Sequence, residues 1–481
     1  MIATNQLPGD SQDALGISHS RRLTGSKTSS VPTMSFDFVH QLHWRLAKER
    51  ECPGIHKRVR ELEEEGRLPV SAWHERCHER LHALLVFAKH NVRYYRDTFE
   101  NAGFNIGSMS IRTDFGRIPT LTKCSVRKRL QDLVADTADR SQMFPNATGG
   151  STGTPMEFYQ DRQVQTVSDA MDAYVRGWWG IKPYDRTASV WGADREFHTL
   201  SWKERFYHWR MRTRSLNAFR MTEESLWDFC RMLARWRPPY LAGYASALEA
   251  LARCAVSHRL EGLRFRAIRS AAETLWPGQR RLIEETFQSP VYNFYGSREV
   301  PNLAAECPEE KRLHLISTWR YVEITDEQGR ALPAGQPGYI VVTDLSNYAM
   351  PFIRYRNDDM GRFAKEPCPC GRPSPVLEDL LGRSSDLIRT PRGDIVHGEF
   401  FTHLFYGRSD IRQFQVHQTA LDRLVVRYVP IGEPSKAFID ELPGTIRARL
   451  GENVRVVMER CAQIPLPPSG KHRFTISDVK G

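Results

Sequence analysis

Between Phe36 and about Glu100 apolar residues recur at spacings of three and four, as in WHERCHERLHALLVFAKHNVRYYRDTF, which predicts amphipathic helix. IPTLTKCSVRKRL then reads as a turn leading into a helix, with Thr122 as its N-cap. A long amphipathic helix is expected from roughly Asp161 to Trp179. Beyond it, short apolar runs alternate with helical patterns. TASVWG, YLAGY, FRAIRSAA and PVYNFYG read as strands; ESLWDFCRMLARW, SALEALARCAV and GQRRLIEETF read as helices. That alternation predicts an α/β fold with a largely parallel sheet. From Leu313 to Met360 the pattern changes. YVEITDEQGRALPAGQPGYIVVTDL gives strand, turn, strand, and predicts an antiparallel β unit. The last stretch, from Gly382, mixes short strands (QFQVHQ, RLVVRYV, VRVVME) with one helix (AFIDELPGTIRARL), as a small α+β domain would.

Composition sets the limits on this picture. The 481 residues suffice for two or three domains at roughly 100–200 residues each. Nine cysteines at irregular spacing do not form a secreted disulfide framework, so a reducing cytoplasmic setting is expected. No apolar run approaches the ~20 residues a membrane span needs; LHALLVFA, Leu81–Ala88, has the length of a core helix only. The first 33 residues carry Ser, Thr, Gly and Asn with few large apolar groups, lack a signal peptide's apolar stretch, and predict a disordered tail. The net charge of +11 is spread along the chain rather than gathered in one block. That distribution fits an ordinary basic surface first and a phosphate-rich substrate second. A zinc-containing nucleic-acid binder comes third, because no recognisable nucleic-acid motif accompanies the charge.

The chemistry begins in NATGGSTGTPMEFY, Asn146–Tyr159. Thr148, Gly149, Gly150, Ser151, Thr152, Gly153 and Thr154 combine three glycines with four hydroxyl residues. Such a loop exposes backbone N–H groups and hydroxyls together, as phosphate-binding loops do. It is not a Walker A loop, since no Lys-Ser or Lys-Thr pair follows at the required spacing. Four further motifs come in order: NFYGSRE (Asn293–Glu299), MPFIRYRNDDMG (Met350–Gly361), GRSSDLI (Gly382–Ile388) and PLPPSGKHRF (Pro465–Phe474).

This ordered set resembles the adenylate-forming superfamily, and within it the phenylacetate–CoA ligase-like branch with its capsular-polysaccharide-cluster relatives. The resemblance runs from about residue 90 to the C-terminus. It implies a large N-terminal adenylation domain, residues 34–384, and a small mobile C-terminal domain, residues 385–481. It implies that Thr148–Gly153 wrap the β- and γ-phosphates of ATP, although Met156 stands where many relatives carry a lysine. Tyr295 would pack on adenine beside Gly296 and Ser297, and Glu299 would bind Mg²⁺. Arg298 takes the place of the family's α-phosphate-contacting Thr. Ala272 and Glu273 of SAAETL match the adenine-side segment, with a helix-start Glu as the alternative. Asp359 would hold the ribose hydroxyls, leaving Asp358 as a surface turn residue. Arg383 would reach ribose or phosphate, and Ser385 takes the place of the family's hinge aspartate. Lys471 would bridge the substrate carboxylate and the α-phosphate, where an ammonium stabilises developing negative charge.

The implied reaction is activation of a carboxylic acid by ATP to an acyl-adenylate with release of pyrophosphate, then transfer to a thiol such as CoA. It needs no protein nucleophile, and the sequence has no G-x-S-x-G signature. The alternative keeps the fold and changes the reaction, to an adenylyltransferase or an amide- or ester-forming ligase in polysaccharide or cofactor biosynthesis. Trp191, Phe197, Tyr240 and Tyr244 flank segments that line the acyl pocket in relatives, which would suit an aromatic acid, with core packing as the competing role.

Four residues fall outside this chemistry. ECPEEKRLH supplies Cys307 and His314, and EPCPCGRP supplies Cys368 and Cys370. Both pairs flank the β unit, and three Cys with one His make a closed tetrahedral set suited to structural Zn²⁺. The alternative is a reduced surface pair and two unrelated loop residues.

Overall fold

The computed structural model describes residues 36–107, 114–148, 156–192, 209–218, 220–383, 388–392, 395–396, 400–401, 404–405, 408, 410–465 and 473–479, with residues 36–39, 383 and 395 described by backbone alone. The expected tail, Met1–Thr33, lies outside them.

The helical pattern at the N-terminus resolves into four helices, Phe36–Glu51, Ile55–Glu65, Val70–Asn91 and Arg93–Asn101. They are fastened to the body by buried polar contacts. The Arg80 and Arg58 guanidiniums lie 3.9 and 4.4 Å from the Trp319 ring centre, and Arg80 pairs at 2.6 Å with the buried Glu65. The Tyr95 hydroxyl donates to Pro351 O at 2.8 Å and accepts from Ile353 N at 3.0 Å. Thr122 caps helix Lys123–Lys128 by accepting from Ser125 N, and Asp161 caps helix Arg162–Trp178 by accepting from Val164 N.

A short hairpin, β1 (Phe144–Ala147) with β2 (Glu157–Gln160), precedes that long helix. The main sheet has 11 strands. Its parallel half comprises β3 (Thr187–Trp191), β4 (Thr213–Asn217), β5 (Tyr240–Gly243), β6 (Ala267–Ala271) and β7 (Val291–Tyr295). Helices Glu223–Trp236, Ala245–Ser257 and Pro277–Phe287 connect them, as parallel pairing requires. From β8 (Ala304–Glu306) onward the pairing turns antiparallel, through β9 (Leu313–Leu315), β10 (Arg320–Thr325), β11 (Gly338–Asp344), β12 (Tyr355–Phe363) and β13 (Val376–Arg383). The order is β10-β11-β12-β13-β9-β8-β7-β6-β5-β3-β4. The inferred β unit is therefore the antiparallel wing of the same sheet.

Successive residues of the parallel strands serve opposite faces, as strand geometry dictates. Leu241, Ile268 and Val291 pack with Leu233, Leu248 and Phe287 of the connecting helices. Tyr240, Ala267, Tyr292 and Phe294 pack the other way, with Val167, Met171 and Trp179. Burial on both faces is why these strands read as short apolar runs. Edge strand β4, sequence TRSLN, has no such run and carries no strand signal in the sequence.

C-terminal to these, β14 (Ile388–Arg389) pairs with β15 (Ile395–Val396). A four-stranded sheet follows, ordered β18 (Arg455–Arg460), β17 (Arg423–Pro430), β16 (Ile411–Ala420), β19 (Thr475–Ser477). Helix Lys436–Leu450 covers it, with Val416, Val426, Leu442 and Ile446 in a core of their own. The expected domain boundary, 384/385, lies outside the described residues.

Two ion pairs sit inside the antiparallel wing. Arg320 and Asp344 are 2.6 Å apart with side chains 0% and 1% exposed, and Arg354 meets Glu323 at 3.0 Å. Removing one partner of such a pair leaves an uncompensated buried charge. Arg320→Ala is expected to destabilise the protein by about 3–5 kcal/mol, read as a lowered urea midpoint.

Candidate active site

The parallel strands all deliver their C-terminal ends to one edge of the sheet, the usual ligand edge of α/β proteins. Tyr295 ends β7 there, and Ala272 follows β6 with φ 65°, a conformation rare for a residue with a side chain. After Tyr295 the chain makes a tight reversal. A Cβ on Gly296 would lie 2.7 Å from Asn302 N, so only glycine lets the two backbone segments approach. Ser297 N donates to Val300 O at 3.0 Å and Ser297 Oγ accepts from Val300 N at 3.1 Å, which closes the turn and turns Glu299 inward. Glu299 is 6% exposed.

β12 supplies the facing residues. The Tyr295 hydroxyl donates to Asp359 Oδ2 at 2.7 Å, and Asn357 Nδ2 donates to both Tyr295 Oη (2.9 Å) and Asp359 Oδ2 (3.0 Å). The Tyr355 hydroxyl donates to Glu299 Oε1 at 2.8 Å. Burial and the Glu299 charge push the Tyr355 phenol well above its usual range, so it stays protonated as a donor. The structure thus brings together Tyr295, Gly296, Ser297, Glu299 and Asp359. Asp358 is not the surface turn residue expected; it lies within β12 at φ 69°, held by Lys123 Nζ at 3.0 Å. Lys123 also donates to Asn357 O at 3.2 Å. Neither Tyr355, Asn357 nor Lys123 was visible as a site residue. Tyr355 and Asn357 stand inside IRYRNDDM, but Lys123 is 235 positions from its partner.

The Gly-rich segment lies in sequence between the paired strands β1 and β2. Thr148 and Met156 close its base: Thr148 N donates to Met156 O and Met156 N to Thr148 Oγ1, both at 2.9 Å. Met156 is fully buried, so this position serves the core. Gln160 of β2 donates to the backbone oxygens of Arg298 (3.3 Å) and Glu299 (3.2 Å), tying the loop's stem to the acidic turn. Gly149, Gly150, Ser151, Thr152 and Gly153 lie outside the described residues, as do Phe197, Ser385 and Lys471. Arg383 is described by its backbone, which pairs opposite Asp359. Glu273 has a structural task here: its Oε2 accepts from Ser246 N at 2.9 Å at the start of helix Ala245–Ser257, where a carboxylate complements the helix dipole.

Of the aromatics considered for an acyl pocket, Trp191 and Tyr244 stack at 4.3 Å where β3 and β5 end. Tyr240 starts β5 at the opposite edge, wholly buried, with the Arg176 guanidinium 4.6 Å from its ring. It is a core residue.

The four Cys/His candidates converge at a second place. Their ligand atoms all lie within 4.8 Å of one another. Cys307 and Cys368 sulfurs are 3.9 Å apart, and Cys370 Sγ is 3.3 Å from His314 Nε2. β9 brings them together by pairing with β13, His314 opposite Val376. Ser374 Oγ lies 3.3 Å from His314 Nδ1, which leaves Nε2 facing the sulfurs. Burial lowers the His314 pKa to about 4, so the ring is neutral.

With this geometry in view, comparison with known proteins is informative. Residues 388–478 match the CapK C-terminal domain family. Protein CapK of Staphylococcus aureus is 24% identical over 411 residues, covering 84% of this chain and 88% of that protein. A phenylacetate-coenzyme A ligase of Pseudomonas putida is 25% identical over 423 residues, covering 82% and 92%. Along most of its length the chain is thus similar to CapK and to phenylacetate-coenzyme A ligases. Its fold is that of a 2-hydroxyisobutyryl-CoA ligase crystallised in the postadenylation state, with a TM-score of 0.68, 21% identity, and coverage of 86% and 92% of the two chains. Among the described residues no helix is long and apolar enough to cross a membrane.

The close approach at Gly296 makes a direct forecast. Gly296→Ala should destabilise the protein by about 1–3 kcal/mol, since the atom met is backbone and cannot rotate aside; thermal denaturation monitored by circular dichroism measures it.

Proposed function

We propose that this protein activates a carboxylic acid with ATP, forming an acyl-adenylate and pyrophosphate, and passes the acyl group to a thiol such as CoA. The observation that carries the reading is the single constellation at the strand ends: Asp359 hydrogen-bonded to Tyr295, with Glu299 beside it and the Gly-rich hairpin tied to the Glu299 backbone. It is supported by relatives named phenylacetate-coenzyme A ligase and by the likeness to a ligase holding an acyl-AMP.

In this reading Asp359 accepts the ribose hydroxyls through its carboxylate, oriented by Tyr295 and Asn357. The loop Thr148–Gly153 offers N–H and hydroxyl donors to the β- and γ-phosphates. Arg383, whose backbone faces Asp359, serves the ribose or phosphate side. Glu299, a carboxylate with one oxygen already hydrogen-bonded, suits a hard cation; Mg²⁺ supplies charge neutralisation at the phosphates. The substrate carboxylate oxygen bonds to the α-phosphorus as the bond to the bridging oxygen breaks and pyrophosphate leaves. Lys471 holds its ammonium against the charge that develops. The acceptor thiolate then forms the C–S bond as the C–O bond to AMP breaks. The Trp191–Tyr244 stack at the strand ends favours an aromatic or planar acid. A second reading keeps the adenylate and changes the acceptor to an amine or hydroxyl; its support is the CapK-type C-terminal domain.

Acid-dependent exchange of labelled pyrophosphate into ATP tests the first step, and CoA-dependent release of AMP separates the acceptors. Lys471→Ala should lower exchange by orders of magnitude while ATP affinity changes only a few-fold, because the interaction belongs to the transition state. Wild-type exchange in that variant would remove Lys471 from the mechanism.

The Cys307–His314–Cys368–Cys370 cluster is proposed as a structural Zn²⁺ site. Its 3.9 Å sulfur separation suits the edge of a tetrahedron with Zn–S arms of about 2.3 Å and is far from the ~2.05 Å of a disulfide. All four positions are filled by protein, so the site would be closed and non-catalytic. Elemental analysis should find about one zinc per chain. Cys370→Ser should lower both zinc content and melting temperature; zinc-free protein with an unchanged melt would reject the site.

A further inference from the structure

Glu299 has one hydrogen-bond donor to its carboxylate among the described residues, the hydroxyl of Tyr355 at 2.8 Å. The donor has no freedom to leave. Tyr355 is wholly buried, its ring stacks on Phe352 at 4.8 Å and 26°, and its backbone is fixed on both sides. On one side it pairs with Val342 of β11; on the other it bridges Leu121, where Leu121 N donates to Arg354 O and Arg356 N to Leu121 O, both at 2.9 Å. The acceptor is equally constrained, since the Gly296–Val300 turn and Gln160 hold the Glu299 backbone. A carboxylate so held keeps one oxygen engaged by the phenol.

We propose that Tyr355 is a positioning residue for cation binding: its hydroxyl holds Glu299 Oε1, so that Oε2 is presented in one orientation to the divalent cation that accompanies ATP. This rests on the reading of Glu299 given above and extends it to a residue inside the β-wing that touches neither nucleotide nor acid. The physical reason is that an unanchored carboxylate must be ordered when the cation binds, whereas an anchored one is already ordered. A charge-assisted hydrogen bond in a nearly buried place is strong enough to impose that order.

The test is Mn²⁺ binding to the full-length protein with α,β-methylene-ATP, which cannot donate AMP, followed by the electron paramagnetic resonance signal of free Mn²⁺. Tyr355→Phe should weaken Mn²⁺ binding about tenfold to a hundredfold. Affinity for the analogue without metal should move less than twofold. In a double-mutant cycle, Glu299→Gln and Glu299→Gln/Tyr355→Phe should bind Mn²⁺ equally weakly, because the hydroxyl acts only through Glu299. A merely structural Tyr355 would lower the melting temperature without this non-additive loss. Unchanged Mn²⁺ affinity in Tyr355→Phe, with Glu299→Gln weakened, overturns the proposal and leaves the Glu299 assignment standing. Unchanged affinity in Glu299→Gln overturns both. If Tyr355→Phe does not fold, 3,5-difluorotyrosine installed at position 355 keeps ring and hydroxyl while strengthening the donor. It should hold Oε1 at least as firmly and keep Mn²⁺ affinity at or above the wild-type value, and a weakened affinity there overturns the proposal.

Discussion

The switch from parallel to antiparallel pairing at β7 is the constraint on which the rest of the structure depends. Parallel strands need long crossovers and bury both faces; antiparallel strands can turn back within a few residues. β7 pairs in parallel with β6 and antiparallel with β8, and the reversal between β7 and β8 falls at the strand ends where ligands bind in α/β folds. The turn admits no side chain at Gly296, and it presents Tyr295 on one side and Glu299 on the other. Those two side chains then meet Asp359 and Tyr355, two turns of the pleat apart on β12. Residues 60 or so positions apart thus become neighbours through one change of strand direction.

The antiparallel wing is held by buried charge as well as apolar packing. Arg320 with Asp344 and Arg354 with Glu323 are removed from water, so their attraction is little screened and their loss would leave bare charges. Arg354 also donates to Gly116 O at 2.8 Å. It therefore couples β12 to the segment that carries Thr122 and Lys123. The same strand holds Asp358 in a left-handed conformation, where Lys123 offsets its strain with an ion pair. Rigidity in β12 serves the site, because Tyr355, Asn357 and Asp359 are set by its register.

Much of the fold was legible where periodicity is long or burial is two-sided. The helices from Val70 to Asn91 and Arg162 to Trp178, the Thr122 cap and strands β3, β5, β6 and β7 match their patterns. β4 escaped because an edge strand with one solvated face needs no apolar run. β12 escaped because RYRNDDMGRF is polar, its side chains being spent on ion pairs and the site. Tyr295, Glu299 and Asp359, which the fold brings close together, were singled out by motif order. Tyr355 and Lys123 were not, since their roles depend on which residue lies across from them. Glu273 was read toward adenine with a helix-start carboxylate as the alternative, and its Oε2 accepts from Ser246 N at the start of a helix.

The sequence by itself determined the types of the strongly patterned elements, the α/β class, the order of the motifs and the two Cys/His pairs, because these rest on local spacing and residue chemistry. Only the tertiary structure decided that the β unit joins the main sheet, that Tyr240 is core while Trp191 and Tyr244 reach the ligand edge, and that His314 faces Cys370. The reason is that strand neighbours are chosen by burial and hydrogen bonding across the whole sheet. Local sequence sets which face a side chain takes; pairing with distant strands sets what that face meets.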